Sequence, residues 1–392
     1  MPSNDPTTTI EFPRRRRGQL SPPDEYAALR KQPGLVRSAL PNGSTLWLVT
    51  RHEDARTVLT DPRISASPLN PGFPTIGRNG TVPPPDQIPG WFVAYDPPEH
   101  TRFRKALIPE FTVRRVGDMR PAIQRVVDSR IDAMLAGGTT ADLVSEFALP
   151  VPSLVICELL GVPRTDRELF ESRTRILVTF TSTDDEREAA TKDLLLYISK
   201  LIAMKQRFPG RDLISRLLKA GVLTPKEISG VALLLLIAGH ETTANNIALG
   251  VVMLLLNRQW IHTPGVVEEV LRYLSVADRV ALRVALEDVE IGGQLIRAGE
   301  GIVPLGAAAN HDDATFERAD EFDPSRSARH HVAFGYGVHQ CLGQNLVRVE
   351  MEAVFETLFR RIPTLELDQA VEDLPFKHDG VLFGLHALPI RW

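Results

Sequence analysis

The 392-residue sequence predicts a mainly α fold with a small antiparallel β part. Three observations carry that expectation. Apolar residues recur at helical spacing through most of Glu99 to Leu256, period-two alternation is confined to a few short runs, and neither an internal repeat nor a clear linker divides the chain. Length alone would favour two or three domains. Without a linker, the reading is one large domain over 21–392 behind a flexible N-terminal arm, 1–20. Hydrophobic residues make up 43% and charged residues 24%, ample for a large core and wrong for a disordered chain.

In order, Pro23 to Lys31 reads as a short helix, and Thr45 to Thr50, dense in β-branched and aromatic residues, as a strand. Ser65 to Asp96 carries a run of prolines and four glycines, a loop long enough to be functional rather than connective. Trp91 and Phe92, large apolar groups on that breaker-rich segment, either pin it to the core or face a ligand. Helical spacing then continues through Ile123 to Leu135, Leu149 to Leu160, Leu194 to Met204 and Leu213 to Leu218, with stops at Gly161-Val162-Pro163 and Pro209-Gly210. Glu268 to Leu274 is another helix, Val284 to Pro304 a small antiparallel sheet turning at Gly292-Gly293, and about Leu342 to Arg361 the last helix. Leu365 to Trp392 reads as short strands.

A net charge of −4 leaves no basic footprint for nucleic acid. Two cysteines, Cys157 and Cys341, allow neither a disulfide framework nor a four-cysteine metal site. The longest apolar run, nine residues from Val231 to Gly239, falls far below the roughly 20 that a membrane-spanning helix needs. The basic run Arg14 to Arg17 has no apolar segment behind it and so is no secretory signal. A soluble, cytoplasmic monomer is expected, with neither nucleic acid nor membrane as partner.

Chemistry concentrates in Phe334 to Gly343, FGYGVHQCLG. A lone cysteine is most often a small buried hydrophobe. Here Gly335, Gly337 and Gly343 leave backbone on which something flat can lie, and Cys341 stands just before a helix whose N–H groups favour a thiolate. A thiolate held by N–H donors beside a planar surface is what an axial haem-iron ligand requires. A second oddity is Ala238-Gly239-His240-Glu241-Thr242-Thr243, a polar cluster interrupting an almost wholly apolar helix. A third is Glu269-Val270-Leu271-Arg272, whose spacing puts carboxylate and guanidinium on one helix face.

With every fixed position filled, FGYGVHQCLG resembles the F-G-x-G-x-H-x-C-x-G haem-binding loop of the cytochrome P-450 monooxygenases, and the other motifs follow in that family's order. The likeness runs from Trp47 to Trp392 and is greatest to soluble actinomycete enzymes, through RVALEDVEIGG (Arg283 to Gly293) and RHHVAFGYGVHQCLGQNL (Arg329 to Leu346). It implies a cytochrome P-450 fold enclosing haem b (iron protoporphyrin IX), with Cys341 as metal ligand and Phe334 and Gly343 lining the cofactor. It further implies that Glu269, Arg272 and Arg326 form a structural network behind the cysteine loop. Ala238-Gly239-His240-Glu241-Thr242 matches A-G-x-[DE]-T. Gly239 would let the helix pass close to the haem, Thr242 would bond back to the Ala238 carbonyl, and Glu241 and Thr242 would deliver protons for dioxygen cleavage. His100 and Arg104, in a D-P-P-E-H-T-R-x-R segment, together with Arg283 and His339, would neutralise the haem propionates. One departure is the stretch between Leu256 and Glu268, only eleven residues where relatives carry a further helical stretch.

The activity implied is insertion of one atom of O2 by hydroxylation or epoxidation into a hydrophobic small molecule, such as a polyketide, macrolide or terpenoid of secondary metabolism, antibiotics included. Trp91, Ile237, Ala238, Val280 and Leu382 would line its pocket. No dinucleotide fingerprint is present, so electrons would come from a ferredoxin and ferredoxin reductase fed by NAD(P)H. Arg102, Lys105, Arg114 and Arg115 read equally as a cationic docking face and as an ordinary solvated helix face. The alternatives are a peroxide-driven haem-thiolate enzyme and a non-catalytic haem sensor.

Overall fold

The computed structural model describes residues 9–12, 16, 20–40, 42–74, 88–178, 182–279, 281–377 and 382–392. Helices are α1 (Asp24–Arg30), α2 (His52–Thr60), α3 (Glu99–Leu107), α4 (Val113–Gly117), α5 (Arg120–Gly137), α6 (Pro150–Leu160), α7 (Arg167–Val178), α8 (Asp184–Arg207), α9 (Leu213–Ala220), α10 (Pro225–Leu256), α11 (Val266–Leu274), α12 (Gly306–Asn310) and α13 (Gln344–Arg361). Strands are β1 (Thr9–Glu11), β2 (Val36–Ala39), β3 (Thr45–Val49), β4 (Ile64–Ser65), β5 (Thr140–Asp142), β6 (Arg283–Ala285), β7 (Val289–Ile291), β8 (Gln294–Ile296), β9 (Gly301–Pro304), β10 (Glu366–Leu367) and β11 (Pro389–Arg391).

The mainly α fold with a small β part is what the chain forms. Helix α10 organises it. Thr224 and Glu227 close a capping box at its start, with Pro225 in the first turn. Its 32 residues are apolar on every side and therefore buried on nearly every side. Helices α6, α8, α11 and α13 pack around it. Helix α8 starts on a second capping box, Thr183 with Glu186, and α6 stops at Gly161, whose φ of 70° is free of strain only in glycine.

The larger sheet runs β1-β2-β3-β9-β6-β4. β7 and β8 form the expected hairpin, with positive φ at both Gly292 and Gly293. Not every pairing is antiparallel, however. β1 pairs with β2, and β3 with β9, in parallel, because long connections rather than hairpins join them. Within the segment read as a flexible arm, Thr9–Glu11 is strand and Arg16 is buried with its guanidinium over the Phe383 ring. These residues are held at a sheet edge and on an aromatic face, in place of the loose arm expected. The short stretch after α10 holds only a single turn of 3-10 helix, Arg258–Trp260, before α11.

Candidate active site

Cys341 lies between a 3-10 turn (Gly337–His339) and the start of α13. Its own N–H donates to the Phe334 carbonyl (2.8 Å), closing the loop on itself. Gly337 is required there, with φ of 71° and a Cβ position only 2.5 Å from the Leu59 carbonyl oxygen. The N–H groups of Gly343 and Gln344 point at the Cys341 sulfur, and Arg104 and Arg348 lie near it; all four favour the thiolate. Burial outweighs them and pushes the thiol up, against the expectation that the helix start alone would lower it. A bound metal cation reverses that balance, since a coordinating thiol is deprotonated outright.

Next to the sulfur, α3 presents His100 and Arg104 one turn apart, β6 presents Arg283, and the cysteine loop presents His339. The His100 and His339 rings are 4.0 Å apart. Burial, together with the neighbouring cations, pushes His100 down to about 4 and His339 lower still, and burial pushes Arg283 down to about 10. Among the described residues, none of the four makes an ion pair, and His100 Nδ1 is buried without a partner. Asp96 acts on His100 and Arg283 from a distance, but no carboxylate pairs with either arginine, and two buried guanidinium groups are costly unless an anion joins them. Gly343 adds a second sign: its φ is ordinary and a Cβ would meet no protein atom within 4 Å. Protein packing does not call for glycine at this position, whereas a flat group seated on Cys341 does. A dicarboxylate porphyrin fits this donor set.

In mid-helix α10, Ala238 is exposed between half-buried Ile237 and Gly239. Thr242 Oγ1 donates to the Ala238 carbonyl (2.6 Å), and Asn246 Nδ2 to the Thr242 carbonyl (2.8 Å). A Cβ on Gly239 would stand 2.9 Å from Ile156 Cδ1, so the bare Cα also lets α6 pack close against this stretch of α10. Glu241 is held by a residue that sequence reasoning missed: Lys377 Nζ donates to its Oε1 (2.9 Å) and to Asn245 Oδ1 (3.1 Å).

The Glu269–Arg272–Arg326 constellation is assembled. Arg272 and Glu269, both wholly buried, share two 2.8 Å bonds, and Arg326 Nε donates to Glu269 at 3.1 Å. Arg272 also donates to the carbonyls of Asn310, Ala319 and Glu321, tying α11 to the chain that leads to the cysteine loop. Also missed were Glu268 and Arg348, paired at 2.5 and 3.1 Å, with the Arg348 guanidinium over the Phe334 ring. Their signal was only a second glutamate beside the first and an arginine on α13.

Of the pocket residues, Trp91 is buried with its Nε1 unpartnered, Ile237 and Leu382 are partly buried, and Val280 lies outside the described residues. A cavity of about 380 Å³ between α8, the first turns of α10 and Ile88–Pro89 includes none of them. On the expected docking face, Lys105 and Arg114 are exposed, whereas Arg102 pairs with Glu99 and Glu227, and Arg115 with Glu110. Among the described residues no helix is long and apolar enough to cross a membrane.

Comparison with known proteins agrees with this geometry. The family model for Cytochrome P450 matches residues 261–392. The chain is 45% identical to the vitamin D3 dihydroxylase of Streptomyces griseolus, over 98% of both chains. It is 39% identical to the 20-oxo-5-O-mycaminosyltylactone 23-monooxygenase of Streptomyces fradiae, over 98% of this chain and 93% of that one. The crystal structure of cytochrome P450 MoxA from Nonomuraea recticatena superposes with a TM-score of 0.92 at 46% identity, covering 98% of each chain. A cysteine loop beside two arginines and two histidines that form no ion pair among the described residues, with a helix interrupted by an acid and an alcohol, thus belongs to a bacterial haem-thiolate monooxygenase, and this chain is a member of the cytochrome P450 family.

Proposed function

We propose that this enzyme hydroxylates or epoxidises a medium or large hydrophobic metabolite, using electrons from NAD(P)H passed through a ferredoxin reductase and a ferredoxin. The observation that carries the reading is the juxtaposition of Cys341, its sulfur met by two backbone N–H groups, with His100, Arg104, Arg283 and His339, none of them ion-paired. Support for the substrate class comes from relatives named for a secosteroid and a macrolide substrate.

Haem b, when bound, supplies dioxygen activation and transfer of one oxygen atom to carbon. Cys341 would hold its iron, and the two histidines and two arginines its propionates. Thr242 and Glu241 have the task of moving protons. Thr242 Oγ1 gives its hydrogen to the Ala238 carbonyl, so its lone pairs face outward as acceptors. To pass a proton on, the hydroxyl must swing off that carbonyl. Glu241, one residue earlier, is the nearest carboxylate that could reload it. Trp91, Ile237, Ala238 and Leu382 would contact the substrate and exclude bulk water, so that protons arrive only by that route.

The test is direct. The reduced, carbon-monoxide-saturated holoprotein should show the red-shifted Soret band of thiolate coordination, and a cysteine-to-serine change at Cys341 should abolish it. Turnover of a macrolide or sterol panel under isotopically labelled O2, with a surrogate ferredoxin and reductase, should place one labelled atom in product. A normal Soret position, or label arriving only from water, would overturn the proposal.

A further inference from the structure

Lys377 sits in the C-terminal segment Leu374 to Leu385, far in sequence from the helix it touches. Its ammonium is 8% exposed and the Glu241 carboxylate 12%, so the pair is largely withdrawn from water. The chain around it is fixed from several directions. Phe376 and Leu385 form a β-bridge, Lys377 N donates to the Gly384 carbonyl (2.8 Å), and Phe383 N donates to the Val276 carbonyl (2.9 Å). Gly384 presses on α10 so closely that a Cβ would stand 2.2 Å from Asn245 Oδ1. Phe376 and Phe383 stack with ring centres 5.7 Å apart. The ammonium is thus delivered to α10 by backbone held at Phe376, Lys377, Phe383 and Gly384.

We propose that Lys377 is the positioning residue of the proton relay. It pins one carboxylate oxygen of Glu241 through its ammonium and leaves Oε2, to which no described residue donates, to take up and release protons. This rests on the reading of Glu241 and Thr242 as the proton-delivering pair. A long flexible carboxylate beside an apolar pocket has several rotamers, and proton transfer tolerates few of them. A buried cation selects one.

Four variants of the holoenzyme separate the possibilities: Lys377→Met, Lys377→Arg, Glu241→Gln and the double Lys377→Met/Glu241→Gln. First, without any turnover, Lys377→Met should lower the unfolding temperature, and adding Glu241→Gln should restore part of the loss, because the stranded carboxylate is then gone. Second, the C–O stretching frequency of the reduced carbon monoxide complex should shift in Lys377→Met and Glu241→Gln and return in Lys377→Arg. Third, Lys377→Met should lower product formed per NAD(P)H by about tenfold, with hydrogen peroxide making up the difference and substrate KM little changed. If Glu241→Gln leaves that ratio unchanged, the reading of Glu241 fails. If Glu241→Gln uncouples while Lys377→Met does not, the role of Lys377 fails alone. Should Lys377→Met not fold, the double variant, which buries no unpaired charge, and Lys377→Arg still decide: a C–O frequency in Lys377→Arg that matches Glu241→Gln would overturn the proposal.

Discussion

Glu350 shows how much one buried group can set. It lies on α13, 3% exposed, and its Oε2 has no partner among the described residues. Burial pushes its carboxyl up to about 8, so the native protein keeps a proton that the unfolded chain releases near the ordinary glutamate value. A folded-state value raised in this way means stability is fully present below about pH 4.5 and is lost as pH rises toward 8. The loss is on the order of 1.4 kcal/mol per pH unit across that window. Glu350→Gln should remove this dependence. Urea midpoints of both proteins at pH 6 and pH 8 test it, and the difference between them should widen at pH 8 in favour of the variant. Equal shifts in the two proteins would show that Glu350 ionises normally.

At the scale of elements, the α11 network should matter more to the cofactor than to the helix that carries it. Removing the Glu269 carboxylate leaves Arg272 buried without its counter-charge, a loss of about 3–5 kcal/mol. It also frees Arg326 and the Asp323 N–H, which Glu269 accepts at 2.9 Å. Glu269→Ala is therefore expected to purify with little haem, measured as the Soret-to-280 nm ratio, and a haem-replete variant would contradict the assignment. Elements of this kind were legible because their signals are local. The stop at Gly161 is written in one residue and was read, whereas the four-residue capping boxes Thr183 to Glu186 and Thr224 to Glu227, equally local, went unread. The cysteine loop is equally local. Lys377 was not legible, since a lysine in a short Lys-His-Asp run says nothing of a partner 136 positions away. The closeness of Ile156 to Gly239 was hidden for the same reason: a motif explains that a glycine is there, but only packing says which side chain lies against it.

For the molecule as a whole, the β pairings were the part hidden from sequence. A four-residue strand such as β9 carries no mark of the strand it will join, and its partner β3 is roughly 250 residues distant. That pairing predicts a sharp truncation boundary. A fragment ending at residue 300 keeps α1 to α11 yet lacks β9, the strand on which both β3 and β6 lie. It should be aggregation-prone and readily proteolysed, despite containing most of the helices. A monodisperse, protease-resistant fragment would show that the helical part folds independently of the sheet.

The same seam orders events on the ribosome. Residues 36–49 emerge early but must wait as an unpaired hairpin edge until 301–304 have been made. The cofactor's sulfur ligand follows only some forty residues after that seam closes. Nascent chains should therefore need protection by chaperones through three quarters of their synthesis, and iron porphyrin can be captured only at the very end of it.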